Sequence, residues 1–384
     1  MGNYLHEGAR KTYFVATHAG FYRKWLCRYL PLMLRYWRSR WRAQGDDSSG
    51  PTVYLDLKTR TQRSFFNLAF SLHEASCRLY LKHDPLQLAN LKSWDRHIVE
   101  LPTLQLTRKS PAAIEPDVVL ADHDLGAFCS NTARIDLDYF SPLAKDEYRL
   151  PIGIHPMHRW SGSYERNKAL AANEKRPITM FFAGNIGSPK YARDTVQSGF
   201  GKLNRRDCID TVVEYLGERC VFPEMLDENY GYPAPVVLCD STRQWVRGHQ
   251  VFKHLAYARF ALCPSGVDYP HCHNYVEAML MGAIPVIEYD ELLDPPLEHE
   301  VNCLAYRGKS GLKEVLDLAL AMPESEVRRI REGVLDYADS HLHGKGIVKK
   351  LCGNNAINKM KLLDHVGSLR AHFQRLGIAE KLPW

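Results

Sequence analysis

The chain has 384 residues, 45% of them hydrophobic, 24% charged and 11% aromatic, which supplies apolar material for two cores and excludes a disordered protein. Its net charge of +6 is uneven: residues 1–45 hold nine basic side chains (Arg10, Lys11, Arg23, Lys24, Arg28, Arg35, Arg38, Arg40 and Arg42) against Glu7 alone. The remainder is close to neutral, so nucleic-acid binding by the whole chain has no support.

The ten cysteines are scattered without a CxxC pair, as expected of free thiols in a reducing compartment rather than a disulfide framework. No apolar run reaches the roughly eighteen residues of a spanning helix, and the start lacks the apolar core of a signal peptide. The expected location is the cytoplasm, with a peripheral membrane position or a soluble luminal domain as alternatives.

In chain order, Ala19–Leu30 and Pro31–Ala43 read as helices, with Pro31 suited to a first helical position. Tyr22, Leu26, Tyr29, Met33, Tyr36 or Trp37, and Trp41 recur at helical spacing with arginines between them. That pattern predicts either contact with an anionic membrane through residues 1–45 or an extension packed on the next domain. Residues 1–50 are accordingly read as a basic aromatic extension ending in a Gln44–Gly50 linker.

From residue 51 to 155 the chain alternates strand and helix. Val53–Leu57, Arg78–Lys82, Asp117–Ala121, Ile135–Asp138 and Arg149–Ile154 read as strands, and Ser64–Ala75 and Pro85–Lys92 as helices. The polar stretch His155–Lys175 suits a connection between domains. Residues 176–354 repeat the alternation, with strands at Ile178–Ala183, Val236–Cys239, Phe260–Cys263, Ala283–Ile287 and Cys303–Tyr306. Helices fall at Arg205–Leu216, Gln250–Ala258, Leu312–Ala321 and Glu324–Ser340, and residues 355–384 read as a terminal helix over Asn355–Leu376. The expected architecture is α/β, with two Rossmann-like domains facing one another.

Residues 260–287 are the most informative. Phe260–Cys263 meets a Pro264–Ser265–Gly266 turn and a polar stretch, then a short helix carrying Glu277 and a second buried strand. In parallel sheets ligands sit outside the carboxyl ends of strands, often over a helix N-terminus that attracts phosphate. An acid within that helix suits a ribose hydroxyl, so the unit reads as a nucleotide-sugar site.

These residues resemble the exostosin-like glycosyltransferases. The likeness rests on Phe260–Ala261–Leu262–Cys263–Pro264, Gly266, Glu277–Ala278 and Gly282–Ala283–Ile284–Pro285–Val286–Ile287, with Phe181–Phe182–Ala183–Gly184 and Arg205–Arg206 before them. It covers roughly residues 177–290. The family's arginine three residues before the glutamate is Asn274 here, preceded by His271–Cys272–His273. The resemblance implies the GT-B fold and a glycosyltransferase that moves sugar from a nucleotide-sugar donor to a glycan, polysaccharide or glycolipid acceptor. Retaining enzymes of that fold carry a second glutamate eight residues on, where this chain has Pro285, so the expected transfer is inverting. No cofactor and no metal are expected.

Within that reading, Gly184, Ser265, Gly266 and the turn's N–H groups are candidates for cradling a diphosphate, with tight-turn chemistry as the plain alternative for the glycines. Arg205 or Arg206, at a helix start, is a candidate for the leaving phosphate; a solvated helix end is the alternative. Glu277 is the ribose candidate, and a cap or surface role the alternative. His271 and His273, with Asn274, are candidates for pyrophosphate or sugar contact. Zinc is not expected, because neighbouring residues rarely chelate one ion together.

An inverting transfer needs a base for the acceptor hydroxyl. The apolar strand Asp117–Ala121 ends in Asp122, His123 and Asp124, which are the candidates, against an Asx-type turn; His155 is a further one. A different class of function, a catalytically silent nucleotide- or glycan-binding partner of another transferase, fits the same residues.

Overall fold

The computed structural model describes residues 25–42, 49–58, 62–83, 88, 91, 93–125, 131–243, 246–353 and 357–383. Residues 19–24 of the first expected helix, most of the expected linker and most of the expected 85–92 helix lie outside them. The chain forms two compact units, Met1–Arg134 and Ile135–Trp384, each built on a parallel sheet.

The first unit opens with helix α1 (Leu30–Arg42), which follows a π-helical turn at Trp25–Tyr29. Strand β1 (Thr52–Asp56), helix α2 (Gln62–Glu74), β2 (Arg78–Lys82), β3 (Leu104–Thr107), β4 (Val118–Ala121) and β5 (Thr132–Asp136) follow, the last running into the second unit. The strands lie in the order β3-β2-β1-β4-β5, all parallel. β1 and β4 are apolar and buried along nearly their whole length, as strands covered on both faces must be. β3 was not expected. Its Leu104 and Leu106 alternate too briefly to stand out, and a 3-10 segment at Ser93–Glu100 occupies the preceding stretch.

The second unit adds β6 (Glu147–Arg149), α3 (Pro156–Trp160), β7 (Ile178–Gly184), α4 (Thr195–Phe200), α5 (Arg205–Leu216), β8 (Cys220–Val221) and β9 (Val236–Asp240). After these come α6 (Gly248–Ala256), β10 (Ala258–Leu262), α7 (His273–Leu280), β11 (Ile284–Ile287), β12 (Leu304–Ala305), α8 (Gly308–Ala321), α9 (Glu324–Tyr337) and α10 (Gly344–Cys352). β13 (Lys359–Lys361) and α11 (His365–Arg375) come last. Its six-stranded sheet runs β12-β11-β10-β7-β9-β8. The core includes Phe181, Phe182, Phe252, Phe260, Tyr275 and Tyr289, and each fully buried apolar side chain of this size contributes about 1.5–3 kcal/mol.

The stretch expected to connect two domains is instead packed in the second unit. Arg176, just before β7, is buried and donates to the carbonyls of Leu255, Ala258, Met281, Ala171 and Asn173 at 2.8–3.2 Å. It thereby ties together carbonyls at the buried carboxyl ends of α6 and α7. Gly282 sits beside it with a φ of 68°, and a Cβ there would stand 2.9 Å from the guanidinium.

The expected terminal helix over Asn355–Leu376 is shorter. Lys359–Lys361 pairs in parallel with β6, and the helix starts only at His365, capped by the Asp364 carboxylate. The lysines alternate on the strand: Lys359 and the buried Lys361 both reach Glu147. Burial alone would raise the Glu147 carboxyl, but the Lys359 hydrogen bond, the Ala144 N–H and Lys361 bring it down to about 2.

Candidate functional site

In the second sheet the chain leaves β7 for β8 and β9 on one flank and returns to β10 on the other. The carboxyl ends of β7 and β10 therefore bound the crevice where open α/β sheets take their ligands. Gly184–Gly187 leaves one strand and Cys263–Gly266 the other. At Gly266 a Cβ would lie 2.8 Å from the carbonyl oxygens of both Tyr269 and His271, so the turn tolerates no side chain. Its N–H already donates to Pro270 at 3.1 Å, which removes one donor from the expected phosphate cradle. Ser265 is buried.

Arg205 opens α5, whose cap is the Asn204 side chain accepting from the Asp207 N–H. The guanidinium turns inward instead of reaching solvent. It donates to the carbonyls of Ser265 and Asn185, each at 3.2 Å, and to Cys272 Sγ at 3.1 Å, with its carbon 3.9 Å from the Tyr191 ring centre. One side chain thus ties the loops after β7 and β10 together, and the cation–π contact adds to its hold. Arg206 instead lines a cavity of about 350 Å³ with Gly187, Asp210, Glu214, Asp240 and Arg243. Asp240 ends β9 there. Burial opposes its charge, but the N–H groups of Thr242, Ile186 and Gly187 and the Thr242 hydroxyl hold its carboxyl below the usual range. Lys202, buried, pairs with Glu291.

Helix α7 begins where the β10 loop returns. Asn274 donates to the Ala183 carbonyl at 3.3 Å, binding the helix start to β7. Glu277, on its second turn, is buried, and one oxygen accepts the His155 N–H at 3.0 Å. Burial raises its carboxyl pKa, against the pull of His158 and that hydrogen bond. The His273 Nδ1 faces the Gly153 carbonyl at 2.8 Å, and the His155 ring lies 5.0 Å from His273 and 5.8 Å from His158. The buried His158 Nδ1 has no hydrogen-bond partner among the described residues. Sequence reasoning missed His158. Its only signal was a His-x-x-His spacing at the start of a short helix.

His271 does not line the crevice. It is buried among Tyr139, Phe140 and Tyr289, with Nε2 against the Leu292 carbonyl at 3.2 Å. The reason is packing: the turn that starts at Gly266 folds this residue under the loop instead of over it. Burial first, and Arg149 second, lower its pKa to about 3. An unfolded histidine takes up a proton near pH 6.5, so this residue's contribution to stability is complete above that pH and is lost as pH falls towards 3. Between pH 6.5 and pH 5 the loss is about 2 kcal/mol, at roughly 1.4 kcal/mol per pH unit. His271→Phe should flatten the acid limb by that amount, read as the shift in urea midpoint between pH 7 and pH 5. An unchanged shift would show that other groups set the acid sensitivity.

The first unit has its own switch point, between β1 and β4, and the three candidate bases stand there. The Asp122 carboxylate accepts from the Lys58 N–H at 2.8 Å and lies 3.1 Å from His123 Nδ1. His123 Nε2 lies 3.6 Å from the Asp56 carboxylate, which pairs with Lys82 at 2.7 Å. Asp124 is exposed one step on. The imidazole thus lies between two carboxylates, with Asp122 within hydrogen-bond reach and Asp56 just beyond it. Asp56 was not singled out from the sequence, although it is the one acid closing an otherwise apolar strand. Among the described residues no three His, Cys, Asp or Glu side chains are grouped to hold a metal ion.

No protein-family model matches the chain, and no curated protein matches it. Solved structures similar to it include HepE of Anabaena in complex with UDP and glucose, at 13% identity over 78% of this chain and 97% of that one, with a TM-score of 0.37. Others are AviGT4, a glycosyltransferase of avilamycin A biosynthesis (15%, 79% and 99%, 0.36) and the sucrose-phosphate synthase of Thermosynechococcus elongatus (10%, 79% and 97%, 0.39).

Proposed function

We propose that the protein is a glycosyltransferase of the exostosin-like kind and the GT-B fold, moving a sugar from a nucleotide-sugar donor to a glycan, polysaccharide or glycolipid acceptor. One observation carries the reading: Arg205 binds both strand-end loops of the β7–β10 crevice, directly before the start of α7. Such a crevice suits a diphosphate, which takes its donors from backbone N–H groups and the helix start, while Arg206 faces the separate cavity beside Asp240. The ribose is assigned to Glu277 through the carboxylate oxygen that His155 does not use.

Transfer is inverting in this reading. The acceptor hydroxyl attacks the anomeric carbon as the nucleoside diphosphate leaves from the opposite face, and Asp122, His123 or Asp124 removes the hydroxyl proton. Positive side chains and helix dipoles, with no divalent ion, offset the charge on the leaving group. A second reading, binding of nucleotide without catalysis, is favoured by Arg205 donating to Ser265, Asn185 and Cys272 within the protein.

The test is sugar transfer from UDP-, GDP-, CMP- and dTDP-linked donors in excess EDTA. Turnover with one donor class, unchanged by EDTA, is expected. Abolition by EDTA with rescue by manganese would overturn metal independence. Thermal stabilisation by a nucleotide without turnover would select the second reading, and no response to any donor would remove both.

A further inference from the structure

Helix α1 uses one face to join the first unit. Leu32 and Tyr36 are buried there, the Ser39 hydroxyl donates to the Glu100 carbonyl, and Arg40 donates to the Pro102 carbonyl at 2.8 Å. Arg35 reaches the Glu100 carboxylate at 3.4 Å. With 3.6 residues per turn, Leu30, Leu34, Trp37 and Trp41 fall together on the opposite face. That face is turned outward: Leu34 is 60% exposed, Trp37 61% and Trp41 76%.

A helix packed through one side has no structural need for two tryptophans and two leucines on the other. An apolar stripe of this kind is a recognition surface rather than scattered exposure. The surrounding charge narrows its partner. Residues 25–42 contain Arg28, Arg35, Arg38, Arg40 and Arg42 and no acid, and Arg28 and Arg38 are exposed. Tryptophan rings sit at the boundary between headgroups and acyl chains, and arginines beside them meet anionic headgroups. No helix among the described residues is long and apolar enough to cross a bilayer, so the helix would lie in the interface.

We propose that the outward face of α1 docks the protein on an anionic lipid surface, with Trp37, Trp41 and Leu34 inserted and Arg38 at the headgroups. A second copy of the chain would cover the apolar stripe equally well, but it would bring a second set of arginines against the first. A lipid surface supplies the opposite charge.

The experiment is sedimentation of the full chain with vesicles of phosphatidylcholine alone and of phosphatidylcholine with phosphatidylserine, at low and raised salt. Binding is expected only with the anionic lipid, and salt should release it. Arg38→Gln should lower the partition coefficient roughly fivefold, and Trp37→Ser with Trp41→Ser by at least about tenfold. Both tryptophans point away from the packed face, so the thermal midpoint of the double variant should match the wild type; if it does not, Arg38→Gln alone decides. Equal pelleting with both vesicle types, or wild-type pelleting by the variants, would overturn the proposal. So would a wild-type dimer in light scattering that the double variant converts to monomer without any vesicle binding. None of these readouts depends on sugar transfer.

Discussion

Replacing Arg205 with lysine should lower sugar transfer by roughly two to three orders of magnitude while the protein remains folded. Lysine keeps the charge but has one ammonium group, and it cannot reach the Ser265 and Asn185 carbonyls and Cys272 Sγ together as the planar guanidinium does. The two loops would then lose their common tie, and the diphosphate donors would no longer be held in place before the reaction starts. Each buried carbonyl left without a donor costs about 1–3 kcal/mol, so the thermal midpoint should drop as well. The test is kcat measured alongside the midpoint. Transfer within a factor of about two of wild type, on a folded variant, would remove the β7–β10 crevice from the reaction.

Arg176→Met should be strongly destabilising, by about 3 kcal/mol or more, since each buried carbonyl left without a donor costs about 1–3 kcal/mol. Methionine fits the apolar part of the space but leaves the carbonyls of Leu255, Ala258, Met281, Ala171 and Asn173 without their shared donor. Burial already lowers the Arg176 pKa to about 9, with Arg331 adding to the effect, so the site accepts this cation only because it is fully hydrogen-bonded. Urea unfolding of the second unit checks the value. A loss below about 1 kcal/mol would mean that water replaces the guanidinium there.

The strand–loop–helix–strand unit around Glu277 was legible because each apolar run is longer than chance and is bounded by turn residues. The observed α5 begins and ends where the sequence placed it, at Arg205 and Leu216, since the Asn204 cap and Gly217 mark both ends. β13 was not legible. Lys-Met-Lys carries no strand signature, and its place beside β6, with Met360 buried and both lysines meeting Glu147, depends on residues far away in sequence. The site divided in the same way. Local pattern was enough to place the candidates Gly184, Ser265 and Gly266 at strand ends, Arg205 at a helix start, and Asp122 and His123 after β4. It could not show that His271 turns into the core while its neighbour His273 meets His155, because that depends on how one turn closes. Asp56 and His158 were not singled out because what brings them beside His123 and Glu277 is the fold, not sequence spacing.

The order in which the chain is made bears on when the crevice can form. Asp268, inside the loop after β10, is held between Arg193 at 3.0 Å and His365 at 2.8 Å, and His372 stacks on Phe200 just ahead of Lys202 and Arg205. His365 and His372 both belong to α11, and α11 follows β13. Asn358, beside that strand, meets Asp146 across a separation of 212 residues, a closure that is slow and late for a chain folding as it emerges. While the ribosome is still translating, the β7–β10 strands can pair, but the loop above them lacks its second anchor. A nascent chain stalled before residue 359 would hold a sheet with an unfinished mouth, so the loop after β10 should gain its second anchor only once residues 359–375 have been made.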